Sequence, residues 1–198
     1  MKNRVILGGP LRGNINNWNK LQELFSLLSA EVYVSSYTKW ENVPFEYHYT
    51  QTKPFLDLTC FSQGQHVHNA RYKEQWESLY TCYSTFSPSF SEDDIIFKLR
   101  NDICLESSLN ILLELQIKDN YIHAPNTEFH MNCPFDVNVV CNDQFYISKK
   151  PVADKIFNLP YNFVFDSNKD LGIEAILRDY MSQQNINLET FEFKYSRV

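Results

Sequence analysis

The opening of the chain constrains its fold more than any other segment. Arg4-Val-Ile-Leu-Gly-Gly-Pro10 is a short apolar run broken by two glycines and a proline, the pattern of a buried strand that runs into a loop. The loop extends to Asn16. Trp18, Leu21, Leu24, Phe25 and Leu28 then recur at helical spacing, and Glu31-Val-Tyr-Val-Ser35 alternates as a strand. A strand, a helix and a second strand in this order predict a βαβ unit, with parallel strands joined by a right-handed crossover.

The later segments extend this pattern. From Thr38 to Gln65 it loosens, and a short edge strand fits Phe45 to Tyr49. Asn69 is placed to cap a helix that runs to about Tyr83, with Tyr72, Trp76, Leu79 and Tyr80 on one face, and Ser87-Pro-Ser-Phe-Ser91 ends it. Asp94-Ile-Ile-Phe-Lys-Leu-Arg-Asn-Asp102 predicts an apolar strand emerging into a charged tip, followed by a helix from about Leu105 to Leu115. Strands are expected at Asn120 to His123, Gln144 to Ile147 and Phe191 to Tyr195, and helices at Val152 to Phe157 and Leu171 to Ser182. The expected fold is α/β, a mostly parallel central sheet flanked by helices, in one domain over residues 1–198.

Composition removes several classes of function. Hydrophobic residues make up 43% and charged residues 21%, the balance of a globular chain. The net charge of -6, without a cluster of Lys and Arg, argues against a nucleic-acid partner, whose phosphates such clusters bind. No apolar run approaches the roughly 18 residues of a membrane span. Met1 to Arg12 lacks the 7–15 residue apolar stretch, in round numbers about ten, of a signal peptide. A cytoplasmic location is therefore expected, with at most transient membrane association. Cys60, Cys82, Cys104, Cys133 and Cys141 form an odd set without a C-x-x-C pair, as expected of free thiols.

Ligands of open α/β sheets bind outside the carboxyl ends of the strands, which makes the tip Arg100-Asn101-Asp102 the leading site candidate. Lys98 shares a pleat face with Arg100. Asp102 is of a kind to hold a divalent cation, Mn²⁺ or Mg²⁺, against a diphosphate, and Arg100 to pair with phosphate oxygens. Capping of the following helix is the other role open to Asp102. Gly8, Gly9, Pro10 and Arg12 lie in a loop that suits close approach of backbone to a nucleotide, and equally suits a tight turn; the spacing is not G-x-G-x-x-G. His130 is a candidate ligand of the same metal, ahead of His66, His68 and His123. Asp143, before the strand Phe145-Tyr-Ile147, is a candidate base for an acceptor hydroxyl or an ordinary turn residue. Asp166-Ser-Asn-Lys-Asp170 starts like a calcium loop but has Leu171 where glycine is required, so an EF-hand is rejected.

In chain order, the Gly-Pro ending of the first strand, Tyr33-Val-Ser-Ser-Tyr-Thr-Lys-Trp40 and Phe97-Lys-Leu-Arg-Asn-Asp-Ile103 resemble the WavE-type lipopolysaccharide-synthesis proteins and related polysaccharide glycosyltransferases. Asn69, Arg71 and Gln75 match that family's polar helix, and Asn142-Asp-Gln-Phe-Tyr-Ile-Ser148 its later segment, so the likeness spans about residues 4 to 160. Ser36-Tyr37 departs from the usual Thr-Trp. The resemblance implies a GT-A-like nucleotide-diphospho-sugar transferase domain, with Arg71 among the nucleotide-side residues and Asp102 where such enzymes place the carboxylate of a metal-binding D-x-D motif. Arg100 occupies the first acidic position of that motif.

Together these features predict a glycosyltransferase that moves a sugar from a nucleoside-diphosphate sugar to a glycan acceptor in surface polysaccharide or glycoprotein synthesis. Asp102 and Asp143 are its expected catalytic residues. The alternative is a non-catalytic module of the same fold that binds a sugar nucleotide or glycan, with the aromatic residues Tyr37, Trp40, Phe45 and Tyr47 as its surface.

Overall fold

Val5, Ile6 and Leu7 have no exposed surface, and the sheet is built outward from them. The computed structural model describes residues 1–9, 11–52, 67–126, 144–159 and 173–197, and for residues 67–75, 173–176 and 197 it describes the backbone only. The predicted βαβ unit is present: β1 (Asn3–Gly8), α1 (Ile15–Leu27) and β2 (Glu31–Ser36), with β1 and β2 parallel. Asn14 caps α1 by accepting from the amides of Asn16 at 3.0 Å and Asn17 at 3.2 Å.

The remaining elements differ from expectation where a distant partner decides the local structure. The edge strand β3 (His48–Gln51) begins later than Phe45, because Phe45 and Tyr47 turn onto the hydrophobic core instead. Helix α2 (Val67–Phe86) starts before Asn69, which lies within it and is not its cap. After β4 (Ile95–Leu99) the chain forms not a helix but a further strand, β5 (Ile103–Leu105), with only the short α3 (Asn110–Glu114) beyond it. β5 is antiparallel to β9 (Tyr195–Arg197), a partner that local periodicity cannot reveal. β6 (Tyr121–Pro125), β7 (Phe145–Lys149), α4 (Lys150–Phe157) and α5 (Ile173–Gln183) follow the predicted order. The strand expected over Phe191 to Tyr195 is instead the break between β8 (Asn187–Phe191) and β9.

Among the described residues the central sheet has seven strands in the order β3-β2-β1-β4-β7-β6-β8. Only β7 runs against its neighbours, so the sheet is mostly parallel, as predicted. One face carries α1 and the β5–β9 ribbon, through Leu21, Leu24, Phe25, Ile103 and Tyr195 against Val5, Val34 and Phe97. The other carries α2 and α4, through Leu79, Tyr83 and Phe157 against Ile6, Tyr33 and Ile96. The strands alternate their side chains between these two faces, which is why β1 and β4 carry apolar residues at successive positions, Val5 to Leu7 and Ile95 to Phe97.

At the amino-terminal end of the sheet a buried ion pair ties β1 to the entry of β4. Arg4 Nε donates to Asp94 Oδ2 at 2.9 Å, and Asp94 also accepts from the Lys2 and Ser91 amides at 2.8 and 3.1 Å. The Arg4 guanidinium lies 4.8 Å from the Phe90 ring centre and also bonds Glu31 and Tyr33, the latter at 2.6 Å. Burial by itself would raise the Asp94 carboxyl, but these donors hold it below the usual carboxylate range. Lys2 first, then Tyr33 and Arg4, hold Glu31 down at about 2.

Removing one partner of a buried pair strands the other, so Asp94→Ala is expected to lower stability by about 3–5 kcal/mol in urea denaturation. Glu31 has a lower pKa folded than its ordinary 4.5, so its contribution is complete above that value and disappears as pH falls toward about 2. Glu31→Gln should therefore flatten the urea midpoint against pH across that window, relative to the parent protein.

Candidate functional site

The chain leaves β1 toward β2 on one side, and β4 flanks β1 on the other. The carboxyl ends of β1 and β4 therefore meet where the strand order reverses, the point at which open α/β sheets leave a crevice. Leu7 and Leu99 are the last paired residues of these strands, so Gly8 and Arg100 emerge side by side.

The loop after β1 is held from three directions. The Gly9 amide donates to the Ser35 carbonyl at 2.9 Å, and the Gly9 carbonyl accepts from Trp40 Nε1 at 3.3 Å. The Arg12 amide donates to Asn101 Oδ1 at 2.8 Å, while the Arg12 carbonyl accepts from Trp18 Nε1 at 2.8 Å. Gly9 and Gly13 have φ of 89° and 87°, a conformation that favours glycine. A Cβ at Gly9 would meet no described atom within 4 Å. Gly8 is required for a different reason: a Cβ there would stand 3.0 Å from the Leu79 backbone nitrogen of α2.

The turn after β4 carries the charged tip. The Arg100 amide donates to the Gln144 carbonyl at 3.0 Å, which continues the β4–β7 ladder by one residue. The Arg100 side chain folds back on Asp102 as a fork, Nε to Oδ1 at 2.8 Å and Nη2 to Oδ2 at 2.6 Å. Burial would raise the Asp102 carboxyl, but Arg100 and, at longer range, Arg12 hold it below its ordinary value. Asp102 leads into a strand and caps no helix, which overturns that reading. Lys98 differs from expectation too: its ammonium is out of solvent on the α2 face, 5.6 Å from the Tyr146 ring centre.

Mn²⁺ or Mg²⁺ would need oxygen ligands at this turn. Both oxygens of Asp102 already accept from Arg100, and the neighbouring position of the motif is that arginine. Among the described residues no group of three or more His, Cys, Asp and Glu is arranged to hold a metal ion. The described donors by themselves do not fit a resident cation. Pro10, His130, Asp143, His66 and Asp166 to Asp170 lie outside the described residues, as do the side chains of His68, Asn69, Arg71 and Gln75.

Three other expectations resolve in structural terms. Trp40 is buried, and Phe45 and Tyr47 pack on the core, so this aromatic segment is not an exposed binding surface. His123 is buried in β6, with Nδ1 3.1 Å from Glu189 Oε2 and Nε2 accepting from the Lys118 amide at 3.1 Å. Burial lowers its pKa, consistent with a neutral, structural imidazole. Cys82 and Cys104 are free thiols. The sequence did not reveal Asn101, Trp18 and Trp40 as the fasteners of the β1 loop. Only Asn101 had a local signal, its place between two charged candidates.

No protein-family model matches this sequence, and no curated protein matches it either. Solved structures do. The glycosyltransferase GlyE of Streptococcus pneumoniae TIGR4 superposes with a TM-score of 0.50 over 97% of this chain, at 14% identity. A glycosyltransferase involved in the glycosylation of the major capsid of PBCV-1 does so at 0.52 over 97%, at 12% identity, with 83% of its own chain covered. The galactosyltransferase LgtC, solved in complex with donor and acceptor sugar analogs, does so at 0.53 over 93%, at 9% identity, with 72% of its chain covered. The chain spans about half the length, 46%, of GlyE. The likeness defines the fold as GT-A-like, a mixed sheet between helices as in these glycosyltransferases. At such identities it defines nothing finer.

The loop geometry makes its own prediction. A Cβ at Gly13 would fall 2.1 Å from Asn17 Oδ1 and 3.2 Å from the Asn101 carbonyl, in a backbone conformation that side chains avoid. Gly13→Ala is expected to cost about 1–3 kcal/mol, read as a lowered thermal midpoint.

Proposed function

We propose that this chain is a glycosyltransferase that takes a sugar from a nucleoside-diphosphate sugar and passes it to a glycan acceptor. One observation carries the reading: the loop after β1 and the Arg100–Asp102 turn are fastened together through Asn101 at the switch point of a GT-A-like sheet. A glycine turn beside two guanidinium groups and a carboxylate suits a diphosphate joined to a nucleoside. Gly8, Gly9, Pro10, Arg12 and Arg71 are assigned to the nucleotide side. Arg100, Asn101 and Asp102 are assigned to the diphosphate, and Lys98 supplies positive charge from beneath.

Asp143 is our candidate base. Its carboxylate would take the proton of the acceptor hydroxyl as that oxygen bonds to the anomeric carbon and the nucleoside diphosphate departs. His130 is kept as a candidate contact to the phosphates. The WavE-type likeness over residues 4 to 160 supports an acceptor belonging to a surface polysaccharide or glycoprotein. Among the described residues no helix is long and apolar enough to cross a membrane. A lipid-carried acceptor would then bring the chain to a membrane only transiently.

The reading is tested by incubating the protein with UDP-, GDP-, CMP- and dTDP-sugars and measuring both thermal midpoint and release of the nucleotide. A donor present at 100 times its dissociation constant adds about 2.7 kcal/mol, visible as a raised midpoint. Asp143→Asn should reduce turnover by about 10²–10⁴-fold while leaving the midpoint shift in place. A shift with no turnover, unchanged in Asp143→Asn, would instead identify a non-catalytic binding module.

A further inference from the structure

A neutral imidazole accepts a hydrogen bond at one nitrogen only, and that nitrogen is where a further proton must enter. His123 lies on β6 with 2% of its side chain exposed. Its Nε2 accepts from the Lys118 amide at 3.1 Å, so the proton of the neutral ring sits on Nδ1, which lies 3.1 Å from Glu189 Oε2. A second proton entering at Nε2 would point at the Lys118 N–H. Two donors cannot face each other at that distance, so protonation of the ring and the bond to Lys118 exclude each other.

That bond holds the connection between α3 and β6. From Gln116 to Lys118 the chain has no regular secondary structure, and among the described residues the Lys118 amide on His123 is the hydrogen bond its backbone makes. The connection is anchored on either side. Leu112 of α3 is buried in the core, and the Asn120 carbonyl accepts from the Asn187 amide at 2.9 Å. Between the anchors, Leu115, Gln116 and Lys118 form one wall of a cavity of about 220 Å³, with His123, Glu189 and Phe191 as the other.

The charges around the ring oppose one another. Glu189 faces it from β8 and favours the proton, whereas Lys118, whose ammonium lies 2.6 Å from Glu189 Oε1, opposes it from the connection. Tyr121 of β6 brings its ring centre to 6.1 Å, Glu114 stands exposed on the cavity rim, and β7 places the apolar Ile147 opposite the ring. Burial is the largest influence and holds the imidazole below its ordinary 6.5. Lys118 holds the Glu189 carboxyl below the usual carboxylate range, so Glu189 stays ionised while His123 takes its proton. A ring with a lower pKa folded than unfolded supports the folded connection fully above 6.5, and that support drains away as pH falls below it.

We infer that His123 is an acid-released clasp: a proton taken from solvent at Nε2 expels the Lys118 amide, which turns to water, frees Gln116 to Lys118 and opens the cavity behind them. The sheet stays closed, because β6 keeps its pairing to β7 and β8 through backbone groups that do not titrate. The inference stands apart from the nucleotide-sugar reading and survives its failure.

The experiment is NMR of the isotope-labelled full chain from about pH 7.5 to about pH 5. At the upper end, long-range nitrogen–proton spectra should show the His123 proton on Nδ1. On acidification, the protection of the Lys118 amide against hydrogen exchange should fall about tenfold or more with the midpoint at which His123 titrates, while the amides of β1 and β4 keep theirs. Glu189→Gln, a partly exposed change that removes the carboxylate favouring the proton, should move both midpoints to lower pH together. His123→Gln, whose side-chain oxygen accepts the same amide and takes no proton, should keep Lys118 protected across the range. A neutral ring with its proton on Nε2 overturns the inference, as does a ring that stays neutral down to about pH 5. So does Lys118 protection that changes less than about twofold through the His123 titration, or a release midpoint unmoved in Glu189→Gln. Loss of the β1 and β4 amides at the same midpoint is acid unfolding of the whole chain, and overturns it too.

Discussion

The parallel pairing of β1 with β4 is the constraint on which the site depends, because it brings Gly8 and Arg100 out of the sheet side by side. The pairing is secured at both ends by chemistry that the apolar middle cannot supply. At the amino-terminal end, Arg4 and Asp94 form a buried ion pair. At the carboxyl-terminal end, the Asn101 side chain takes the Arg12 amide. Between them, Val5, Leu7, Phe97 and Leu99 join the core on one face, and Ile6 and Ile96 on the other. Apolar packing fixes which strands lie together but is tolerant of small shifts along the strand. Directional hydrogen bonds at the ends set the height at which the two loops emerge.

The electrostatics of the turn after β4 follow from one pairing. Asp102 follows the buried strand β4, and its neighbour two residues earlier is an arginine that grips it with both arms. A single Arg and Asp in a turn could have faced solvent separately. Both are largely buried, and Arg100 holds the Asp102 carboxyl below its ordinary range. The turn therefore holds the Arg100 guanidinium fixed on Asp102, and the exposed Arg12 lies on the loop that Asn101 fastens beside it.

Much of this was legible in the sequence. The β1, α1 and β2 segments were readable from apolar spacing, and the charged tip from its place after a buried strand. The segment after the tip was not. Ile103, Cys104 and Leu105 look like the start of a helix by spacing, yet they pair with Tyr195, Ser196 and Arg197 across the chain. Trp40 looked like part of an aromatic surface, yet it is buried with its indole nitrogen on the Gly9 carbonyl. In both places a partner remote in sequence supplied hydrogen bonds or burial that no local pattern records.

The sequence by itself determined the alternation of elements, because side-chain periodicities of about 3.6 and 2 residues follow from the backbone's own geometry. It also determined which charged residues stand at the end of the central strand. The tertiary structure decided what those residues do. Arg12 and Asn101 meet although they lie 89 positions apart. Gly8 is needed for the approach of Leu79, and Lys98 is drawn under the sheet toward Tyr146. Such contacts depend on the register of strands and on the packing of helices across them, which arise only when distant segments bury their apolar faces together.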